Sequence, residues 1–166
     1  MHTLTRTIRV HREPEAVFDL LSDPARFPDF FVGITRWERC SEKERGLGAE
    51  YRVLMRVGSI EAGGVVRVTD WQEPRTIAWK SDRGIRQHGR WTVTGHEDGG
   101  SEVELQIVYD LAGGPVGRLV ELIVARVVGG NMSATMLAVR RTLEFEERPG
   151  AVRQLQKRSS SVASNT

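Results

Sequence analysis

The 166-residue sequence contains one cysteine, Cys40, and four histidines, and each scarcity removes a class of explanation. A single thiol cannot form an intramolecular disulfide or a multi-cysteine metal site. The histidines, His2, His11, His88 and His96, include no two at metal-ligand spacing, and no His-x-Glu or Cys-x-x-Cys pattern lies near them. His96 falls in the Gly-rich stretch GHEDGG, where a solvated turn residue is expected. Neither a Gly-x-Ser-x-Gly elbow nor a glycine-rich phosphate loop is present. No metal and no cofactor are therefore expected. No apolar run approaches the ~20 residues a membrane span requires, and MHTLTRTIRV lacks the apolar core of a secretion signal. The expectation is a cytoplasmic location without stable membrane insertion.

The formal charge of +2 and the pI of about 9.0 point at first to an acidic partner. Four basic residues, Arg148, Arg153, Lys157 and Arg158, lie beyond Glu147 with no acid among them, which leaves −2 on the body of the chain. A mildly acidic body without a basic stripe interleaved with aromatics is a poor phosphate-binding surface, so no nucleic-acid partner is expected. The stretch 148–166, RPGAVRQLQKRSSSVASNT, is Ser-rich and has too few large apolar groups to offset its ordering entropy. It is expected to be a disordered tail, with residues 1–147 forming one domain.

What is present reads as strands and helices. Thr5 to Val10 alternate as a strand, with Ile8 and Val10 on one side. In EPEAVFDLLSDPARFPDFF, residues 13–31, Val17, Leu20 and Leu21 recur at helical spacing, and Pro14 stands where a first helical turn tolerates it. Ser22, Asp23 and Pro24 stop that helix and open a second short one, expected to end before Pro28. Residues 34–40, 49–57, 60–71, 75–81, 85–95 and 101–111 are rich in β-branched and aromatic residues and are separated by short turns, which predicts antiparallel neighbours. Val103, Leu105, Ile107, Tyr109 and Leu111 oppose Glu102, Glu104, Gln106 and Asp110, while Tyr51, Val53, Met55 and Val57 oppose Glu50, Arg52 and Arg56. Continuity with Trp91 and Val93 places Gln87 and Gly89 inside and His88 outside.

GGPVGRLVELIVARVVGGNMSATMLAVRRTLEFEE predicts one long helix from Pro115 to Glu147. Val116, Leu119, Val120, Ile123, Val127, Ala134, Leu137, Ala138 and Phe145 share its expected dry face. Met132, Met136, Val139 and Leu143 form a second, outward line, explained by a homodimer contact or by cover from the two short helices. Gly129 and Gly130 each cost about 1 kcal/mol relative to Ala there. Close approach to the sheet, a local bend or room beside a bound molecule would account for them.

The expected architecture is α+β, a curved antiparallel sheet around one helix with an apolar space between them. PEAVFDLLSDPARFPDFFVGITRWE at 14–38, VRVTDWQEPRTIAW at 66–79 and the final helix resemble the START/Bet v 1-like (SRPBCC) superfamily of helix-grip proteins, specifically its bacterial polyketide cyclase/dehydrase-related branch. The resemblance runs from about Thr5 to Glu147 and implies a hydrophobic small-molecule partner: a lipid, acyl or polyketide-like compound. Members bind lipids, sterols, polyketides and hormones, and only some are enzymes. The cyclases and aromatases of this group are described as positioning a polyketide with polar cavity groups, often including an arginine on a central strand. Val68 takes the matching place here, with Arg67 pointing outward, and a one-residue slip would exchange them.

The inner-face aromatics Tyr51, Trp79, Trp91 and Tyr109 each join a polar handle to a large apolar body, suited either to orienting a guest or to plain core packing. With them Val53, Met55, Val66, Val68, Ile77, Gln87, Leu105 and Ile107 from the sheet make up the expected ligand-binding wall. Ile123, Val127 and Asn131 complete it from the helix, whereas Trp37 and Trp71, near strand ends, are expected to be structural. No catalytic residue is assigned. Ligand binding is the leading expectation, and a polyketide cyclase/dehydratase-type enzyme acting in the same cavity is the alternative. A third is a regulatory protein that engages a partner through its helix face or tail.

Overall fold

Period-two alternation in seven segments becomes seven antiparallel strands in the computed structural model of the chain. They are β1 (His2–Val10), β2 (Ile34–Arg39), β3 (Glu50–Val57), β4 (Ile60–Gln72), β5 (Thr76–Gly84), β6 (Gln87–Gly95) and β7 (Ser101–Tyr109), paired in the order β1-β7-β6-β5-β4-β3-β2. The structure describes residues 1–57, 59–110 and 115–146, and within these not the side chains of 57, 60, 115–124 and 146. The expectations for Leu111, for the tail 148–166 and for the side chains of Val57, Val116, Leu119, Val120 and Ile123 lie outside the described residues.

Register follows from the inward apolar set. Trp91 pairs with Ile77 on one side and Leu105 on the other, and Val103 pairs with Ile8 and Val93, so one face collects the bulky side chains. Irregularities between Ile34 and Arg36, Val65 and Val66, and Val68 and Asp70 interrupt the ladders. Bulges of this kind sharpen the right-handed twist, and the sheet curls into a half-barrel.

Between β1 and β2 the chain forms α1 (Pro14–Ser22), a 3-10 turn (Pro24–Arg26) and α2 (Phe27–Phe30). Val17, Phe18, Leu20 and Leu21 of α1 are buried, and Phe18 meets Trp71 edge-on at 5.3 Å. Asp23 accepts a hydrogen bond from the Ala25 N–H at 3.0 Å and so caps the turn. The short turn that Asp23 opens ends at Arg26, before Pro28 as expected, and α2, which holds Pro28 in its first turn, is an element that the sequence reading did not separate. A proline there gives up an N–H that has no intrahelical acceptor in any case.

The last element, α3 (Pro115–Glu146), spans 32 residues. Its buried side chains are Val128, Met132, Thr135, Met136, Val139 and Leu143, whereas Leu137 and Phe145 are 51% and 79% exposed. This overturns the expected dry face. The line read as outward is the one that enters the core, roughly 150° around the helix from the line favoured by the sequence. α1 and α2 pack on α3, so cover from within the chain accounts for that line. Against β1, Arg6 Nε donates to Ser133 Oγ at 3.0 Å, and the buried Gly129 leaves clearance for the Arg6 guanidinium. Gly129 thus marks close approach to the sheet, and Gly130 faces open space.

Candidate functional site

Between the concave face of the sheet and α3 lies a cavity of about 380 Å³. From β3 and β4 its wall takes Tyr51, Val53, Met55, Val66 and Val68; from β5 and β6, Ile77, Trp79, Gln87 and Trp91; from β7, Leu105, Ile107 and Tyr109. Asn131 joins them from α3. Strand alternation brings all these sheet residues to one surface, as the sequence suggested. Val127 is the exception. It is half-buried and outside the wall, which its neighbour Val128 enters instead, because the helix presents a different face from the expected one. The remaining helix expectation, Ile123, falls on a side chain the structure does not describe.

Several wall residues were not anticipated. Leu21 of α1, Phe27 of α2 and Phe31 and Val32 just after it close one side, and Met132 and Thr135 extend the helix contribution. Trp37, expected to be structural, also lines the cavity. Its indole stacks on Phe31 at 5.4 Å, meets Phe27 at 4.3 Å and lies 5.3 Å from Tyr51. The sequence signal was the aromatic density of RFPDFF, but periodicity does not say which strand those rings will meet.

Two backbone features position the wall. A Cβ on Gly89 would come within 2.2 Å of the ring of Trp79, its cross-strand partner, so the indole lies directly against bare backbone. At the corner between α2 and β2, Gly33 adopts φ +84° and its bare Cα packs against the Asn131 carboxamide. The Val32 N–H donates to Thr135 Oγ1 at 3.0 Å, and the Arg56 N–H donates to the Gly33 carbonyl at 3.1 Å. This corner is thereby tied to both α3 and β3.

Among the described residues the polar groups of the wall are few and neutral. The Tyr51 hydroxyl donates to the Glu44 carbonyl, and burial pushes its phenol pKa up, reinforced by Glu44 and opposed by Arg39 and Arg45. Ser81 Oγ accepts from the Gln87 N–H at 3.0 Å, and the Tyr109 ring stacks on His2 at 5.6 Å. No hydrogen bond engages the side-chain carboxamide of Gln87 or of Asn131 among the described residues. The Trp37 indole N–H is buried without a partner among those residues. No Asp, Glu, Lys, Arg or His lines the cavity among the described residues. Val68 sits in the wall, while Arg67 points outward to Glu50 at 2.8 Å and Asp82 at 2.5 Å. Among the described residues no cluster of His, Cys, Asp and Glu is placed to hold a metal ion, and no helix is long and apolar enough to cross a membrane.

A half-barrel gripping a long helix over an apolar hollow defines a helix-grip protein of the START/Bet v 1 class. The chain belongs to the polyketide cyclase / dehydrase and lipid transport family, whose model matches residues 1–144. Among solved structures it resembles the protein TTHA0849 from Thermus thermophilus, with a TM-score of 0.75 at 16% identity over 87% of this chain and 99% of that one. A START superfamily protein from Mycobacterium smegmatis aligns with a TM-score of 0.69 at 14% identity, over 87% and 98% of the two chains. The Zhui aromatase/cyclase from Streptomyces sp. R1128 aligns at 0.71 and 20% identity, over 90% and 98%. These likenesses establish the fold. No curated protein matches the sequence.

Proposed function

We propose that the chain binds a hydrophobic small molecule in the cavity between the sheet and α3. The observation that carries this reading is a cavity of about 380 Å³ whose described wall is made of aliphatic and aromatic side chains with a handful of neutral polar groups. That volume falls within the range of small-molecule sites, where apolar contact supplies affinity and a few polar groups set orientation. The family description, which includes lipid transport, supports the same reading.

A polyketide cyclase/dehydratase-type activity in the same cavity is the second reading, favoured by that family description and by the likeness to an aromatase/cyclase. Proton transfer needs a group that titrates near neutral pH. The described wall offers only the phenols of Tyr51 and Tyr109, and burial moves Tyr51 further from that range. Binding is therefore the better supported of the two. Native mass spectrometry of the protein purified from its own host is expected to show a co-purifying organic molecule, released on denaturation. Its absence, with no binding from a panel of lipids, acyl compounds and aromatic polyketides, would remove the binding reading. Turnover of a poly-β-keto thioester that falls with Tyr109→Phe or Gln87→Ala would favour the enzyme instead.

A further inference from the structure

We propose that a second copy of this chain packs antiparallel against the outward stripe of α3, forming a two-fold dimer whatever the cavity holds. The stripe is the one that apolar periodicity placed inside and the fold leaves outside. At helical spacing Val127, Gly130, Ala134, Leu137, Ala138 and Phe145 fall within about 100° of arc. Leu137 is 51% and Phe145 79% exposed, and Arg141 is the one charged side chain within that arc among the described residues. A glycine in mid-helix costs about 1 kcal/mol relative to alanine. Gly129 answers to the Arg6 guanidinium, but a Cβ built on Gly130 meets nothing within 4 Å, so no packing inside the chain calls for a glycine there. A second helix approaching closely does, because the residues at a helix contact set the distance between the axes.

Charge selects both the occupant and its direction. Arg126 and Glu144 are exposed, and neither has an ion-pair partner among the described residues. They stand eighteen residues apart, which is about five whole turns and about 27 Å, so they share one flank of the stripe and lie toward its opposite ends. A two-fold axis crossing the stripe near residue 135 brings Arg126 of each copy beside Glu144 of the other. Parallel helices would instead set Arg126 against Arg126 and Glu144 against Glu144. A face that carries both halves of its own ion pair in this way is complementary to itself.

The same antiparallel register interleaves the side chains. Leu137 stands over Ala134 of the second copy, Arg141 over its Gly130 and Phe145 over its Val127, so each larger side chain meets a smaller one. The aliphatic stem of Arg141 then covers bare helix while its guanidinium reaches water. Exposed ion pairs contribute little to affinity and serve here to fix direction. A contact one helix wide is small beside the about 1,600 Å² of a standard interface, so the dimer is expected to dissociate in the range of about 1–100 µM.

Sedimentation velocity of the full-length protein, run from about 1 to 300 µM, tests this. A reversible monomer–dimer equilibrium is expected, and Leu137→Glu, which sets two carboxylates beside the axis, should weaken it at least about thirtyfold. That variant should keep the circular dichroism and, as a dilute monomer, the urea midpoint of the parent, because Leu137 makes its main contacts outside the fold. Arg126→Glu should weaken the dimer about three- to tenfold, and adding Glu144→Arg to it should restore the parent affinity, since the swap exchanges the partners of both pairs. A chain that stays monomeric throughout overturns the proposal, as does a dimer that Leu137→Glu leaves intact. A double swap that recovers nothing overturns the antiparallel arrangement. A monomer that binds vesicles of phosphatidylcholine and phosphatidylglycerol, and loses them with Leu137→Glu, would give the stripe to a lipid surface and overturn the second copy as its occupant.

Discussion

Gly89 contributes by what it lacks. The Trp79 indole occupies the space a side chain would take on the neighbouring strand, so Gly89→Ala must displace the ring. Trp79 lines the cavity, and the open direction for its movement is inward. An off-rotamer indole costs about 0.5–1.5 kcal/mol and takes up guest volume. Gly89→Ala is therefore expected to weaken binding of the co-purifying guest at least about threefold and to alter tryptophan fluorescence, while the urea midpoint falls only modestly. Unchanged affinity in a titration would contradict this placement of the ring. Arg67 and Val68 show how far single residues were legible: the register of the family resemblance put Val68 inward and Arg67 outward, a one-residue slip would have exchanged them, and the structure has Val68 in the wall and Arg67 on Glu50. Trp37 shows the opposite, since its role depends on Phe27 and Phe31 arriving from a separate segment.

Among the elements, the strands were legible and the helix face was not. A strand face is set by parity, so one clear pair of opposed rows, as in β7, settles it. α3 carries apolar residues on two stripes, and periodicity alone cannot say which stripe meets the core. The neighbours decide: β1 reaches Ser133 through Arg6, and the corner after α2 reaches Thr135 through the Val32 N–H. Met136→Ala and Leu143→Ala are each expected to cost about 2–5 kcal/mol in urea denaturation, because both side chains are fully buried. Leu137→Ala and Phe145→Ala should each stay within about 0.5 kcal/mol. The reverse ranking would mean that the helix is turned the other way. α2 was missed for a related reason, since Pro28 both follows the end of the Pro24–Arg26 turn and fits the first turn of a new helix.

At the scale of the whole molecule, the cavity comes from a mismatch of shapes. A sheet curled by three ladder irregularities curves away from a helix of 32 residues, and the two cannot stay in contact along its length. Leaving such a space empty forfeits packing contacts, so a guest that fills it should stabilise the fold. At a free concentration one hundred times its Kd, a guest bound in the cavity is expected to add about 2.7 kcal/mol to the unfolding free energy, read as a higher urea midpoint at an unchanged slope. A midpoint that does not move with ligand would show that the guest does not favour the folded chain. The sequence by itself determined the strands, their inward rows and the punctuation that makes the short helices, because these depend on local parity and backbone chemistry. Only the tertiary structure decided which stripe of α3 turns inward, that Phe27, Phe31 and Trp37 join one wall, and how large the hollow is. Those depend on distances between segments remote in sequence, which no periodicity encodes.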